Sequence, residues 1–331
     1  MIIIPILAVV FAIVIDLVLG DPRNKYHPTV WTGNLIGKLV PLVRSTSTKL
    51  EKIGGFILVI SIATLVSALV LAFDSELQQL ASLNFVGLSK LLVIIIMILS
   101  VGFLLKTTIA IKGMEQHASK IMDALLRNDL EDARAKLAMI VKRNTMNLDR
   151  QHIISATLES ISENTVDGIT GPLFYFAIFG LVGSFVYRTI NTIDSMIGYK
   201  TDLFRNLGWF GANCDKILNF VPSRLTSLVM ILASMIVGGG HWRHSLDIMR
   251  RDGPKTESLN AGYPMAAMAG ALGVRFEKLD HYTLGDGISE ITEKHFKTAI
   301  AIMKITTILF VALFTVPMII ILSYLGWWNF V

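Results

Sequence analysis

The chain of 331 residues is 53% hydrophobic and 17% charged, with a mean hydropathy of +0.60, values that exclude an ordinary soluble domain and fit a polytopic membrane protein. A formal charge of +5, with no basic run interleaved with aromatics, excludes nucleic-acid binding. The single cysteine, Cys214, excludes an internal disulfide and a thiolate metal cluster.

A membrane-crossing helix needs roughly 20 mostly apolar residues. In chain order the first such run is 2–19. It lacks a basic leader and ends in Asp16 and Gly20-Asp21-Pro22 instead of a small-residue cleavage site, so it reads as a retained helix. The connection 21–52 sets Arg23, Lys25, Lys38, Arg44, Lys49 and Lys52 against Asp21 and Glu51, and is expected on the cytoplasmic side of the cell membrane. The run 54–73 follows, then an acidic connection 74–89 expected outside, then the run 88–105. From Lys106 to Arg150 the chain is expected inside and helical. Ile121, Leu125 and Leu126 share one face, Leu130, Leu137, Ile140 and Val141 another, and Asn128 with Glu131 marks a helix start.

Two shorter apolar runs, 172–187 and 225–237, precede the last, 301–325. A simple crossing at 172–187 would put the polar stretch 188–224 across the bilayer from Glu159, Glu163 and Asp167. Gly168, Gly171, Pro172, Gly180 and Gly183 instead favour broken or re-entrant elements over 171–224 that return to the cytoplasmic side. No repeat or linker stands out, so the expectation is one membrane-embedded all-α domain over 1–331 with cytoplasmic helical loops.

Ionisable groups beside hydrocarbon are costly enough to signal function. Asp16, Asp21 and His27-Pro28 put two carboxylates and an imidazole at the end of the first span, where oxygen ligands suit Mg²⁺; the plain alternative is a Gly-Asp-Pro helix terminus. Glu159, Glu163 and Asp167 recur at four-residue spacing, so they line one helical face with Ser160 and Asn164 beside them, after Arg143-Asn144-Thr145. Like charges so placed need a cation or basic side chains, unless the face is merely solvated. Asn191, Asp194 and Ser195 share a face ahead of Gly198 and Lys200, a set suited to a metal and a polyphosphate. Asp215 and Asn219 stand four apart before Pro222-Ser223-Arg224, and Asn260-Ala261-Gly262 follows Arg250-Arg251-Asp252-Gly253 in a segment small enough for close packing. Gly238-Gly239-Gly240 is not a P-loop, because no Gly-Lys-Ser/Thr follows.

Together these blocks resemble the adenosylcobinamide-phosphate synthase family of cobalamin biosynthesis, membrane-bound cobyric acid amide ligases. The resemblance lies in Asp16, Gly20-Asp21-Pro22, His27-Pro28 and Gly33; in Glu159 through Gly168 with Pro172-Leu173-Phe174; in Asn191-Thr-Ile-Asp194 with Gly198-Tyr199; and in Gly208-Trp209, Asp215, Asn219, Pro222-Ser223-Arg224 and Asn260-Ala261-Gly262. The chain departs from the family pattern at Asn144, where Arg-Asp-Thr is typical, at Asn213-Cys214-Asp215-Lys216, and at Leu259 in place of a proline. The resemblance implies ATP and Mg²⁺ as cofactors and adenosylcobyric acid and an amino-alcohol phosphate such as aminopropanol phosphate as substrates; because a carboxylate is a poor acyl donor, the reaction is expected to pass through an acyl phosphate. It casts Glu159, Glu163, Asp167 and His27 as catalytic. Arg143, Lys200, Asn191, Arg224, Asn164 and Asn260 would bind nucleotide and substrate, and Asp16, Asp21, Asp194 and Asp215 would bind metal. The active site is expected on the cytoplasmic side of the cell membrane. Rival readings are an intramembrane prenyltransferase, from Asn191, Asp194 and Asp202, and a cation-coupled transporter. The sequence leaves open which amino alcohol is used and whether the chain forms a homo-oligomer.

Overall fold

The computed structural model describes residues 2–83, 86–199, 201–237, 241–287 and 290–329. Lys200 and Gly238 to Gly240 lie outside them. The protein is an all-α, polytopic membrane protein with one short β-hairpin, Phe276–Lys278 against Tyr282–Leu284, which the apolar pattern did not announce. Helices long and apolar enough to cross a membrane are Thr48–Ser82, Leu88–Leu126, Arg150–Ile197 and Glu293–Tyr324. They contain the expected spans 54–73 and 88–105 and all of 301–325 but its last residue, and the doubtful 172–187 turns out to be part of the much longer Arg150–Ile197. Ile3–Leu19 is apolar but has only 17 residues, and Phe220–Ile236 reaches crossing length only when joined to Trp209–Leu218.

The described residues form two compact units, each assembled from separated stretches: Met1–Ala110, Gly171–Leu218 and Leu313–Val331 in one, Ile111–Thr170 and Asn219–Ala312 in the other. In the first unit, Ile3–Leu19 lies along Leu88–Lys106 through small residues. Ala8 and Ala12 are fully buried, and a Cβ at Gly102 would sit 2.8 Å from the Ala8 carbonyl oxygen. Close backbone approach of this kind is how helices associate where the surrounding lipid removes the hydrophobic drive. A second seam joins Thr48–Ser82 to Gly171–Ile197 through Leu58, Ile62, Ile190 and Ile193.

Helix Gly171–Ile197 is broken, as its glycines foretold. Phe179 (φ −126°, ψ 17°) and Gly180 (φ 60°, ψ −151°) leave the helical region, the second in a conformation that favours glycine. A break strips the preceding carbonyls of their amide partners. Two indoles replace them: Trp327 Nε1 donates to the Ile178 carbonyl at 2.7 Å, and Trp328 Nε1 to that of Ala177 at 3.2 Å. Tyr175 likewise donates to the last carbonyl of Trp209–Leu218, at Leu218, at 3.0 Å.

In the second unit, Arg150–Thr165 packs against Ile111–Leu126, Gly262–Leu272, Glu293–Phe310 and the hairpin. Ile121 and Leu125 are buried in it as expected, but Leu126 is exposed and does not belong to that face. The next helix is capped by Asp129, which accepts from the Asp132 amide at 2.9 Å, and not by Asn128. Asn128 takes a positive φ of 57° to turn the chain into it, a conformation that asparagine tolerates.

Candidate functional site

The acid face is built on Arg150–Thr165, whose first turn is capped by Asp149 accepting from the His152 amide at 2.9 Å. Four-residue spacing puts Glu163 one turn after Glu159. Asp167 falls in a π-helical turn, Val166–Thr170, so the regular α-helical register carries two of the three acids. Their surroundings differ sharply. Glu159 is 2% exposed and takes an ion pair from Arg143, a hydrogen bond from the Ser155 hydroxyl at 2.9 Å and one from the Tyr282 hydroxyl at 2.8 Å. Ser155 in turn accepts from the Glu277 amide at 2.9 Å, which ties the hairpin to the helix. Glu163 is exposed and Asp167 half-buried. Asn164 donates to the Ser160 carbonyl at 2.9 Å, and Ser160 to the Ile140 carbonyl at 3.1 Å.

Burial, then the Glu159 carboxylate, hold the Tyr282 hydroxyl well above its usual range, with Glu163 adding to the effect. Tyr282 is therefore a fixed donor. Glu159 sits under a layer of donors, whereas Glu163, one turn on, is exposed.

Elsewhere in this unit, Arg224 stacks on the rings of Phe220 at 3.8 Å and Tyr263 at 4.4 Å. Its guanidinium donates to the Asn260 side-chain oxygen at 2.8 Å and to the carbonyls of Phe220 at 2.8 Å and Leu259 at 3.1 Å. The Arg224–Asn260 pairing joins two residues that the sequence separates by 36 positions. Position 259, where the family pattern departs, takes part through its backbone, which explains why leucine serves there.

The first unit holds the other expected residues. Helix Ile3–Leu19 ends at Gly20, φ 72°, before Pro22 is reached. Asp16 is fully buried, and the cation facing it is Lys106, itself 2% exposed, at 3.5 Å; the same ammonium reaches Asp21 at 2.9 Å. His27 caps helix Pro28–Val43 by accepting the Thr29 amide on Nδ1 at 3.2 Å, and its Nε2 lies 3.6 Å from Asp21. An imidazole that accepts on Nδ1 carries its proton on Nε2. Burial raises the Asp21 pKa, but the hydrogen bonds from His27 and Lys106 outweigh it and leave the carboxyl below its usual range.

Along Gly171–Ile197, Asn191 accepts from Arg188 at 3.1 Å and donates to Asp215 at 3.3 Å. Asp194 lies half-buried against Gly198, and Ser195, on the same helical face, is exposed. Asp215 and Asn219 do not share a helical face, since Trp209–Leu218 ends between them and Asn219 begins the next helix. The expected site residues thus divide between the units: Asp16, Asp21, His27, Asn191, Asp194 and Asp215 in the first; Arg143, Glu159, Glu163, Asn164, Asp167, Arg224 and Asn260 in the second.

Residues 9–320 match the model of the family described as CobD/Cbib protein. The chain is 37% identical over 299 residues to a "Probable cobalamin biosynthesis protein CobD" of Methanothermobacter thermautotrophicus, covering 90% of this chain and 93% of that one. It is 35% identical over 333 residues to the cobalamin biosynthesis protein CobD of Clostridium acetobutylicum, covering 97% and 99%, and 37% identical over 289 residues to that of Leptospira interrogans, covering 86% and 85%. The chain belongs to the CobD/Cbib family. No solved structure matches it.

Lys106 and Tyr282 of this CobD/Cbib chain were missed from sequence. Lys106 had a visible signal, a lone cation closing the apolar run 88–105, but it was read as the first residue of a loop. Tyr282 had none, because its role depends on a hairpin 123 residues away from Glu159. A further polar knot in this CobD/Cbib chain is Asp252, fully buried and gripped by Arg251 at 2.7 and 2.8 Å, Lys255 at 2.5 Å and the Gly285 amide at 2.8 Å.

Proposed function

We propose that this chain is an enzyme of cobalamin biosynthesis that uses ATP and Mg²⁺ to join an amino-alcohol phosphate to a free carboxylate of adenosylcobyric acid, giving an amide. The observation that carries the reading is the pairing of family membership over 9–320 with an exposed Glu163, set one turn from a Glu159 whose charge is already met. A free carboxylate is a poor acyl donor. The substrate carboxylate would attack the terminal phosphoryl group of ATP and release ADP, and the amine would then displace phosphate from the acyl carbon. The attacking ammonium must first lose a proton. Glu163 is the base we assign, because both nitrogens of His27 are engaged by Thr29 and Asp21.

Among the described residues no three His, Cys, Asp or Glu side chains gather closely enough to cage a metal. That economy fits Mg²⁺, which takes one or two carboxylates and completes its shell with water and phosphate oxygens. Asp167, in the same unit as Glu163, would supply an oxygen donor for it, and bound Mg²⁺ would neutralise charge on the transferring phosphoryl group. At Asp16 and Asp21 the cationic role belongs to Lys106. Arg143 and Arg224 contribute positive charge toward the anionic substrates. The test is ADP release by purified protein with ATP, Mg²⁺ and adenosylcobyric acid, with and without aminopropanol phosphate, and mass spectrometry of the corrinoid. Amine-dependent release with the matching amide is expected; no release with any amino-alcohol phosphate, from folded protein, would overturn the reading.

A further inference from the structure

A cavity of about 270 Å³ opens in the second unit, beside the ion pair of Arg143 with Glu159. Three separate segments wall it: the 143–148 loop, the first turn of Arg150–Thr165, and the hairpin turn that carries Lys278 and His281. We propose that this cavity is a phosphate-recognition pocket, in which Lys278, His281, His152 and Asn147 bind the phosphoryl end of a substrate. The inference rests on the ligase reading only for which substrate is bound.

Its charge balance carries the argument. Of the two full cations on the wall, Arg143 is met by Glu159, but among the described residues Lys278 has no carboxylate within ion-pair distance and lies 5.8 Å over the Tyr282 ring. Glu277, the acid on the wall, is drawn off by Arg275 at 3.7 Å. Both histidines are fixed through Nδ1, His152 by Asp149 at 2.8 Å and His281 by Glu257 at 3.1 Å. With Nδ1 held by a carboxylate, the ring is oriented, and in its doubly protonated form it presents Nε2–H as a donor to a bound anion. The first turn of a 16-residue helix contributes the positive end of its dipole at His152. Two imidazoles fixed on separate segments, an ammonium without an acid and an amide fit a tetrahedral dianion and nothing apolar.

The pocket also neighbours the helix face that carries Glu159. Arg143 lines it and grips Glu159, and Tyr282, which follows His281 in the hairpin, hydrogen-bonds the same carboxylate. A phosphoryl group held there would be anchored by the same loop and hairpin that order the acid face.

Titration of the full-length protein in detergent with inorganic pyrophosphate, read by calorimetry, tests the pocket without turnover. Wild-type protein should bind, and Lys278→Ala and His281→Ala should each weaken binding about tenfold, the scale of one charge-assisted hydrogen bond. Lys297→Ala, which removes an exposed lysine paired with Glu293, should bind as wild type. Absence of binding by folded wild-type protein, or unchanged affinity in both pocket variants, overturns the proposal. In the ligase assay, a raised KM for the amino-alcohol phosphate alone would identify that substrate as the ligand, and a raised KM for ATP alone would identify the nucleotide. Unchanged values for both would refute the pocket. Absence of ligase activity beside intact pyrophosphate binding would overturn the ligase reading and leave the pocket standing.

Discussion

Glu159→Gln and Glu163→Gln should fail in opposite ways, although the two acids stand one turn apart on one helix. The Glu159 side chain is 3% exposed and that of its partner Arg143 is 16% exposed. Removing one member of a buried pair leaves the other's charge uncompensated, at a cost of about 3–5 kcal/mol. Spread over a chain of 331 residues at about 2.1 cal/mol/K per residue, that loss lowers Tm by roughly 4–7 °C. Ser155 donates to Oε1 and Tyr282 to Oε2, so glutamine keeps one of the two acceptors and turns the other into a donor, which adds to the loss of charge. The double variant Arg143→Met with Glu159→Gln removes the orphaned cation and should recover most of the loss. Glu163 is exposed, and its substitution should leave stability within about 0.5 kcal/mol of the parent while abolishing turnover. Thermal unfolding in detergent, paired with ADP release below the lower transition, reads both quantities. A Glu159→Gln protein as stable as wild type, or a Glu163→Gln protein with full turnover, would refute this division of labour.

Lys106→Met should destabilise strongly, because fully buried Asp16 loses the cation at 3.5 Å, and adding Asp16→Asn should restore much of the unfolding temperature. Trp327→Phe leaves the Ile178 carbonyl at the helix break without its indole donor and should cost about 1–3 kcal/mol, measured by the same melts. Burial pushes Asp252 up, but Arg251, Lys255 and the Gly285 amide pull harder and hold its carboxyl well below the usual range. A depressed folded value contributes stability that is complete above the ordinary carboxylate pKa of about 3.9 and is lost as pH falls from there through the folded value. Asp252→Asn should therefore unfold at lower temperature near neutrality and show a flatter loss of stability below about pH 4.

The membrane helices were legible because hydrocarbon imposes a composition that no tertiary contact can disguise. The runs 54–73 and 88–105, and 301–325 but for its last residue, lie inside crossing-length helices, and the glycines around 180 announced a break that the backbone shows at Phe179 and Gly180. Boundaries were harder. Helix ends are set by single capping contacts, so Asp129 displaced Asn128, and Gly20 ended the first helix before Pro22 could. The hairpin 276–284 escaped because its short strands bury little and owe their place to the helix they cross.

The limits at the site have one physical origin. Spacing places acids on a common face, but it carries no information about which long-range partner reaches each of them. Glu159 and Glu163 are equivalent in periodicity, and Arg143 and Tyr282 make them different, one by a loop 16 positions back and the other by a hairpin 123 positions on. Asp16 and Asp21 read equally well as metal ligands until Lys106, 85 positions after Asp21, supplies the cation. In the first case buried partners take Glu159 and leave its helical neighbour exposed; in the second a buried lysine takes both acids. A cluster of carboxylates in such a chain is therefore better divided by the burial of each member than by their spacing, and by that division Glu163, exposed where Glu159 is buried, is the acid placed to meet a bound molecule.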